Sequence, residues 1–249
     1  IEAYPTFNSC KITGCTASLT GGGIYGSIRS MPTFVDCEFS GNSAYNGGGA
    51  LYCQAGSQPV IEGCSFANNN TLTFIDGQGI TRRGDGAAIY LANSSVCDIN
   101  DCNFTANTAN SGAAVYAAQN AGGYLTLSRF TQNTADNDGG AVYAIDSNSF
   151  TVSDCNFTEN TALRGGGLFA LTSPKLLVTN CDFTANRAYG SARYRLDPND
   201  PNSLILDENF IAQGGGIFAF ASISAIEHCK ITNNTAITSG GGIYIAGLH

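Results

Sequence analysis

The stretch Cys37-Glu38-Phe39-Ser40-Gly41-Asn42-Ser43-Ala44-Tyr45-Asn46-Gly47-Gly48-Gly49-Ala50-Leu51-Tyr52 decides the fold, because the chain rewrites it eight times. The phrase is Cys-x-Phe-x-x-Asn-(Thr/Ser)-Ala, a few polar residues, then Gly-Gly-(Ala/Gly)-aliphatic-aromatic. Its cysteine column reads Cys10, Cys37, Cys64, Cys102, Ser128, Cys155, Cys181 and Cys229, with steps of 27, 27, 38, 26, 27, 26 and 48 residues. Five of the seven steps are 26 or 27, and the other two are that unit plus an insertion. A fixed period in this range is the mark of a solenoid.

Working outward, three further columns are apolar in every copy. Three residues before the cysteine stand Phe7, Phe34, Ile61, Ile99, Leu125, Val152, Val178 and Ile226. Two residues after it stand Ile12, Phe39, Phe66, Phe104, Phe130, Phe157, Phe183 and Ile231. After the glycines come Ile24, Leu51, Ile89, Val115, Val142, Leu168, Ile217 and Ile243. These sit in short β-rich runs bounded by Asn and Gly, and no stretch keeps helical spacing for three turns. The pattern predicts an all-β, single-stranded parallel β-helix of about eight rungs, each of three short strands and three turns, as one domain over 1–249. At about 4.8 Å per rung it would be roughly 38 Å long. One rung alone cannot bury enough apolar surface to offset the entropy of ordering it, so stability must be cooperative along the axis.

Composition narrows the partners. Charged residues are 12% of the 249, about half the usual share, so Asn, Ser and Thr make the surface polar. A net charge of -8 argues against nucleic acid, whose phosphates call for Lys/Arg clusters. No apolar run approaches the roughly 18 residues of a membrane-spanning helix. Both ends read as cut coils, which predicts a piece of something longer.

The asparagine column (Asn42, Asn69, Asn107, Asn133, Asn160, Asn186, Asn234) falls at a turn, where Asn tolerates left-handed backbone and stacked amides can bond rung to rung. With Cys37, Cys64, Cys102, Cys155, Cys181 and Cys229 it reads as a structural ladder. Phe39-Ser40-Gly41-Asn42 and Phe157-Thr158-Glu159-Asn160, followed by Gly48-Gly49-Ala50-Leu51 and Gly139-Gly140-Ala141-Val142, resemble the paired motif of the chlamydial-type polymorphic membrane protein repeat. The likeness covers nearly the whole chain. It implies a right-handed parallel β-helix on a secreted or cell-surface protein, often an adhesin passenger.

Three features compete for function. The aromatic column Tyr25, Tyr52, Tyr90, Tyr116, Tyr143, Phe169, Phe218 and Tyr244 alternates with inward residues, so it is expected outside as an apolar stripe for a protein or a sugar. On that reading, Tyr90, Tyr116 and Tyr143 can be changed to Ser without loss of the fold. The insertions 71–85 and 189–213 leave the same edge between the Asn and the Gly pair, and carry Arg82, Arg83, Arg193 and Arg195 as a candidate charged groove. Sequons mark Asn93, Asn103 and Asn156 for glycosylation, as well as Asn69 and Asn233. In-register thiols point to buried free cysteines more than to disulfides, with a Cys10–Cys15 bridge left open. The cysteine spacing is not a zinc pattern, and nothing asks for a cofactor.

The leading reading is therefore an extracellular structural or adhesive scaffold. Head-to-tail self-assembly into a fibre is an alternative, motivated by the two cut coils. A polysaccharide-binding or polysaccharide-degrading β-helix is another. For catalysis the best set is Asp136, Asp138, Asp154, Glu159 and Arg164, without an evident shared column, and the chain has only two histidines.

Overall fold

In the computed structural model, which describes residues 3–147, 150–190, 194–197, 200–206, 211–223 and 225–247, the chain winds into eight rungs of a parallel β-helix. Each rung contributes four strands, not three, and like strands stack into four eight-stranded parallel sheets. The second rung shows the order: Thr33–Val35, Glu38–Ser40, Ser43–Ala44 and Leu51–Cys53. The strand missing from the sequence expectation is the Thr/Ser-Ala pair. It is two residues long, too short for alternation to register, yet its Ala faces inward and is buried in Ala44, Ala109, Ala162 and Ala188.

Register follows the columns without a slip. Phe34 lies beside Phe7 and Ile61, and Phe66 beside Phe39 and Phe104. The phenylalanines of the second sheet form a continuous internal stack from Phe39 to Phe183, with centroids 4.4 to 4.9 Å apart. That separation is the rung spacing itself, so burial and stacking come from one geometry.

Four corners join the strands. At three of them one residue takes left-handed backbone and the next points inward as Cys, Asn or Ser. At the asparagine corner the left-handed residue is the one before Asn (Ala106 at φ 53°, Gln132 at 56°, Glu159 at 55°), not the Asn the sequence suggested. The Asn side chain instead holds the rungs together. Asn133 Oδ1 accepts from the Asn107 backbone N–H at 3.1 Å and from Asn107 Nδ2 at 2.9 Å. Its own Nδ2 donates to the Phe104 carbonyl at 3.0 Å and to Asn160 Oδ1 at 2.9 Å. The same pattern runs from Asn42 through Asn69, Asn107, Asn160 and Asn186 to Asn234. Cys15 stands in this column on the first rung, its N–H donating to Asn42 Oδ1 at 3.0 Å.

The cysteine corner works more weakly. The Cys37 N–H donates to Cys64 Sγ at 3.3 Å, and the Cys155 thiol donates to the Ser153 carbonyl at 3.1 Å. Ser128 fits the column because its hydroxyl accepts from the Cys102 N–H at 3.1 Å and donates to the Thr126 carbonyl at 2.8 Å. Cys181 and Cys229 bond the carbonyls two residues back in the same way. All ten cysteines are free thiols. Cys10 and Cys15 lie beyond opposite ends of the strand Lys11–Thr13, whose extended residues alone hold them about 10 Å or more apart. A disulfide needs Cα atoms within about 7 Å, so that bridge is excluded. Burial pushes the Cys53 thiol up to about 12 and Cys97 well above its ordinary value, which keeps both inert.

The third such corner escaped the sequence reading altogether. Ser30, Ser57, Ser95, Ser147, Ser173 and Ser222 recur where the fourth sheet passes to the first. Ser173 Oγ accepts from the Ser147 N–H at 3.1 Å, and Ser222 Oγ accepts from the Ser173 N–H at 2.8 Å.

Candidate functional site

The remaining corner, between the third and fourth sheets, holds glycine. Gly139 and Gly165 sit at φ 63° and 61°, and a Cβ on either would lie 2.4 Å from a backbone oxygen. Both insertions leave here, and each forms an antiparallel hairpin: Thr73–Ile75 with Thr81–Arg83, and Tyr194–Asp197 with Asp200–Leu206. Arg193 lies outside the described residues, as does the side chain of Arg195. In the first hairpin Arg82 Nε is paired with Asp76 at 2.9 Å. Arg83 is tied by three bonds, to the Thr71 carbonyl (2.9 Å), Asn70 Oδ1 (3.1 Å) and Asp136 Oδ2 (3.0 Å). It clamps the hairpin back along the corner, with each of those three nitrogens already bonded within the chain.

Beside the glycine corner, the outer face of the fourth sheet carries the aromatic column. Its inward neighbours Leu51, Cys53, Ile89, Leu91, Val115 and Ala117 are all fully buried, so the rings lie outside the core. They form one stack of eight, with centroids 4.7 to 5.4 Å apart. The stripe is less open than expected. Tyr25 is 47% exposed, whereas Tyr90, Tyr116 and Tyr143 are half-buried and Phe169 and Phe218 fall to 1% and 4%. Neighbouring rings lie 2° to 22° from parallel, so they cover one another's faces and leave edges and hydroxyls for solvent. A sugar stacks on a ring face, and within this column those faces are taken.

Next to the rings, immediately before the left-handed glycine, runs a column containing Asp85, Ser111, Asp138, Arg164 and Gln213. Asp138 and Arg164, from neighbouring rungs, share it, whereas Asp136, Asp154 and Glu159 do not. Corner length varies between rungs here, so counting from the cysteine hid the column; counting back from the glycine exposes it. Arg164 donates to Asp138 through Nε at 2.7 Å and Nη2 at 2.8 Å, and Asp138 is only 8% exposed. Burial pushes the Asp138 carboxyl up, and the Arg164 guanidinium works against that push. The guanidinium carbon also lies 5.1 and 5.4 Å from the Phe169 and Phe218 centroids, which helps to cover those rings. Burial likewise raises Asp85, opposed by Asn110 Nδ2 at 2.9 Å. Tyr90 is pushed up to about 12, by burial first and then by Tyr52 and Asp85. Tyr116 and Tyr143 rise further for the same reasons, with Asp85 and Asp138 adding to burial. These tyrosines are neutral donors, and the opposite of activated bases.

Residues 2–83 and 87–248 match the family described as the right handed beta helix region. The chain belongs to the right-handed β-helix family. Comparison with curated proteins and with solved structures finds no match. The short gap in the family match, 84–86, is where the first insertion rejoins its rung. As in any right-handed β-helix, the fold alone names no activity. Asn93, Asn103 and Asn156 are exposed, and so is Asn233, while the sequon at Asn69 is buried in the ladder. Among the described residues no group of His, Cys, Asp and Glu could hold a metal ion, and no helix is long and apolar enough to cross a membrane.

Proposed function

We propose that this domain is an extracellular structural and adhesive β-helix, secreted or held at a cell surface, that offers a binding face to a protein or a glycan and does not itself catalyse a reaction. One observation carries the reading: the columns of acidic, amide and thiol side chains that could do acid–base or nucleophilic chemistry are engaged by their own rungs. The Asn, Ser and thiol columns bond along the axis, and the rings cover each other. Among the described residues no buried side-chain nitrogen or oxygen lacks a hydrogen-bond partner. The strongest acid–base pair, Asp138 with Arg164, is closed on itself. The resemblance of the Phe-x-x-Asn and Gly-Gly-(Ala/Gly) motifs, which build the asparagine and glycine corners, to the chlamydial-type polymorphic membrane protein repeat supports a surface location.

The test has two arms. Antibody labelling of intact source cells should detect the domain, and beads coated with it should be retained on the surface it serves. Incubation with a panel of plant, fungal and bacterial polysaccharides should release no new reducing or unsaturated ends. Turnover that disappears in Asp138→Asn would overturn the non-catalytic reading.

A further inference from the structure

The fourth sheet has a second outward column, two residues beyond each ring, and it contains a step. The register places Leu171 beside Phe220 and Phe220 beside Ala246. On the Ala246 side Phe220 therefore has only a methyl group next to it. Among the described residues Phe220 enters no ring pair, whereas Phe218, two positions earlier, is stacked on both sides. A cavity of about 330 Å³ opens at this step, lined by Arg164, Ile211, Gln213, Phe218, Phe220 and Tyr244. Arg164 gives Nε and Nη2 to Asp138. Its Nη1, the Gln213 carboxamide and the Tyr244 hydroxyl have no hydrogen-bond partner among the described residues.

We propose that this cavity is a binding subsite for a neutral sugar residue. It combines an unstacked aromatic side chain with donors and an acceptor from three residues, the composition that a pyranose, apolar on its faces and hydroxylated round its rim, requires. Its volume lies at the lower end of the roughly 300–1,000 Å³ of ligand sites, which suits one sugar unit of a longer chain running along the sheet. Charge selects the neutral class. The Arg164 guanidinium is neutralised by Asp138, and the molecule carries a net charge of -8, so a uronate meets no unpaired cation here and a repulsive field around it. The inference rests on the reading of the domain as a binding surface, and gives that surface a ligand.

Titration calorimetry of the intact chain with xylo-, cello- and chito-hexasaccharides, and with tri-galacturonate, tests it. At least one neutral oligosaccharide should bind at millimolar concentration or below, and more tightly than the uronate. Phe220→Ala, Phe220→Leu and Gln213→Ala should each weaken binding by about tenfold or more, while Tyr116→Phe, in the stacked column, should not. Phe220→Leu retains an apolar side chain without the ring, so with Gln213→Ala it decides the matter if Phe220→Ala fails to fold. Absence of binding to all three neutral probes, unchanged binding in the folded variants, or preference for tri-galacturonate would each overturn the subsite. Beads that still adhere while sugar binding is absent would remove the subsite and leave the surface role standing.

Discussion

The asparagine corner and the glycine corner bound the same two-residue strand, yet they behave as opposites. At the asparagine corner every rung from Asn42 to Asn234 repeats one side chain, one backbone shape and one set of hydrogen bonds. At the glycine corner the rungs differ in length, both hairpins leave the helix, and buried Asp138 and half-buried Arg164 share a column with Asp85. The difference lies in what each corner must satisfy. The asparagine amide gives and receives bonds along the axis, so any break leaves buried groups unpaired. The glycine corner asks only for a left-handed residue and room for a Cβ-free approach after it. Everything before that glycine can vary, so variation collects there.

Moving a hairpin from one corner to the other should have the largest effect. Deleting residues 72–83 joins Thr71 to Gly84-Asp85-Gly86, which reproduces the short corner Ala109-Asn110-Ser111-Gly112 one rung on. That variant should fold, losing about 1 kcal/mol or less with the bonds of Arg83. The same segment inserted between Glu159 and Asn160 should abolish cooperative folding, as read by circular dichroism and urea titration. If both variants fold equally well, the contrast between the corners is wrong.

Next comes a point break in the ladder. Asn133→Leu strands the Asn107 N–H in a dry interior and removes the amide donor to the Phe104 carbonyl, while the Asn107 amide keeps the Phe66 carbonyl and Asn160 Oδ1 keeps the backbone N–H of residue 133. At about 1–3 kcal/mol per unsatisfied group, partly relieved by relaxation, a loss of about 3 kcal/mol in unfolding free energy is expected by urea titration. Cys155→Ser, at the neighbouring corner, should cost under about 1 kcal/mol, because Ser128 already makes the equivalent bonds. A third, smaller loss concerns the rings. Seen as an exposed stripe, Tyr116 could become Ser freely; half-buried between Tyr90 and Tyr143 at 4.7 and 4.8 Å, it should cost about 2 kcal/mol.

These contrasts also mark what the sequence could carry. The fold was legible because the inward columns repeat identity: aliphatic, Phe, Cys and Asn each face one environment eight times. The serine corner was equally periodic, but Ser is so common on this surface that Ser147 and Ser173 did not stand out. The left-handed positions were illegible in principle. Gly41, Asn68, Ala106, Gln132 and Glu159 share one backbone shape, held by the bonds of the rungs around them and not by residue type. The Asp138–Arg164 column was hidden by the varying length of its corner. Phe220 stands in an outward column whose residue type does not repeat, and its surroundings appear only when Leu171 and Ala246 are set beside it.

The smallest effect separates two acids of the glycine corner, buried Asp138 and half-buried Asp85, by pH. Burial raises the folded pKa of Asp85 above its ordinary value. Stability from such a group is fully present below the unfolded pKa of about 3.9 and is lost as pH rises through the folded one. Asp85→Asn, which keeps an acceptor for Asn110 and cannot ionise, should therefore raise the urea midpoint slightly at pH 7, and the gain should vanish near pH 3.5. Asp138 is also raised by burial, but its charge is matched by Arg164. Asp138→Asn leaves that half-buried guanidinium without its partner and should lower the midpoint slightly at pH 7. Opposite signs for two carboxylates of one column are the expectation. Equal signs would show that pairing with Arg164 does not set Asp138 apart from Asp85.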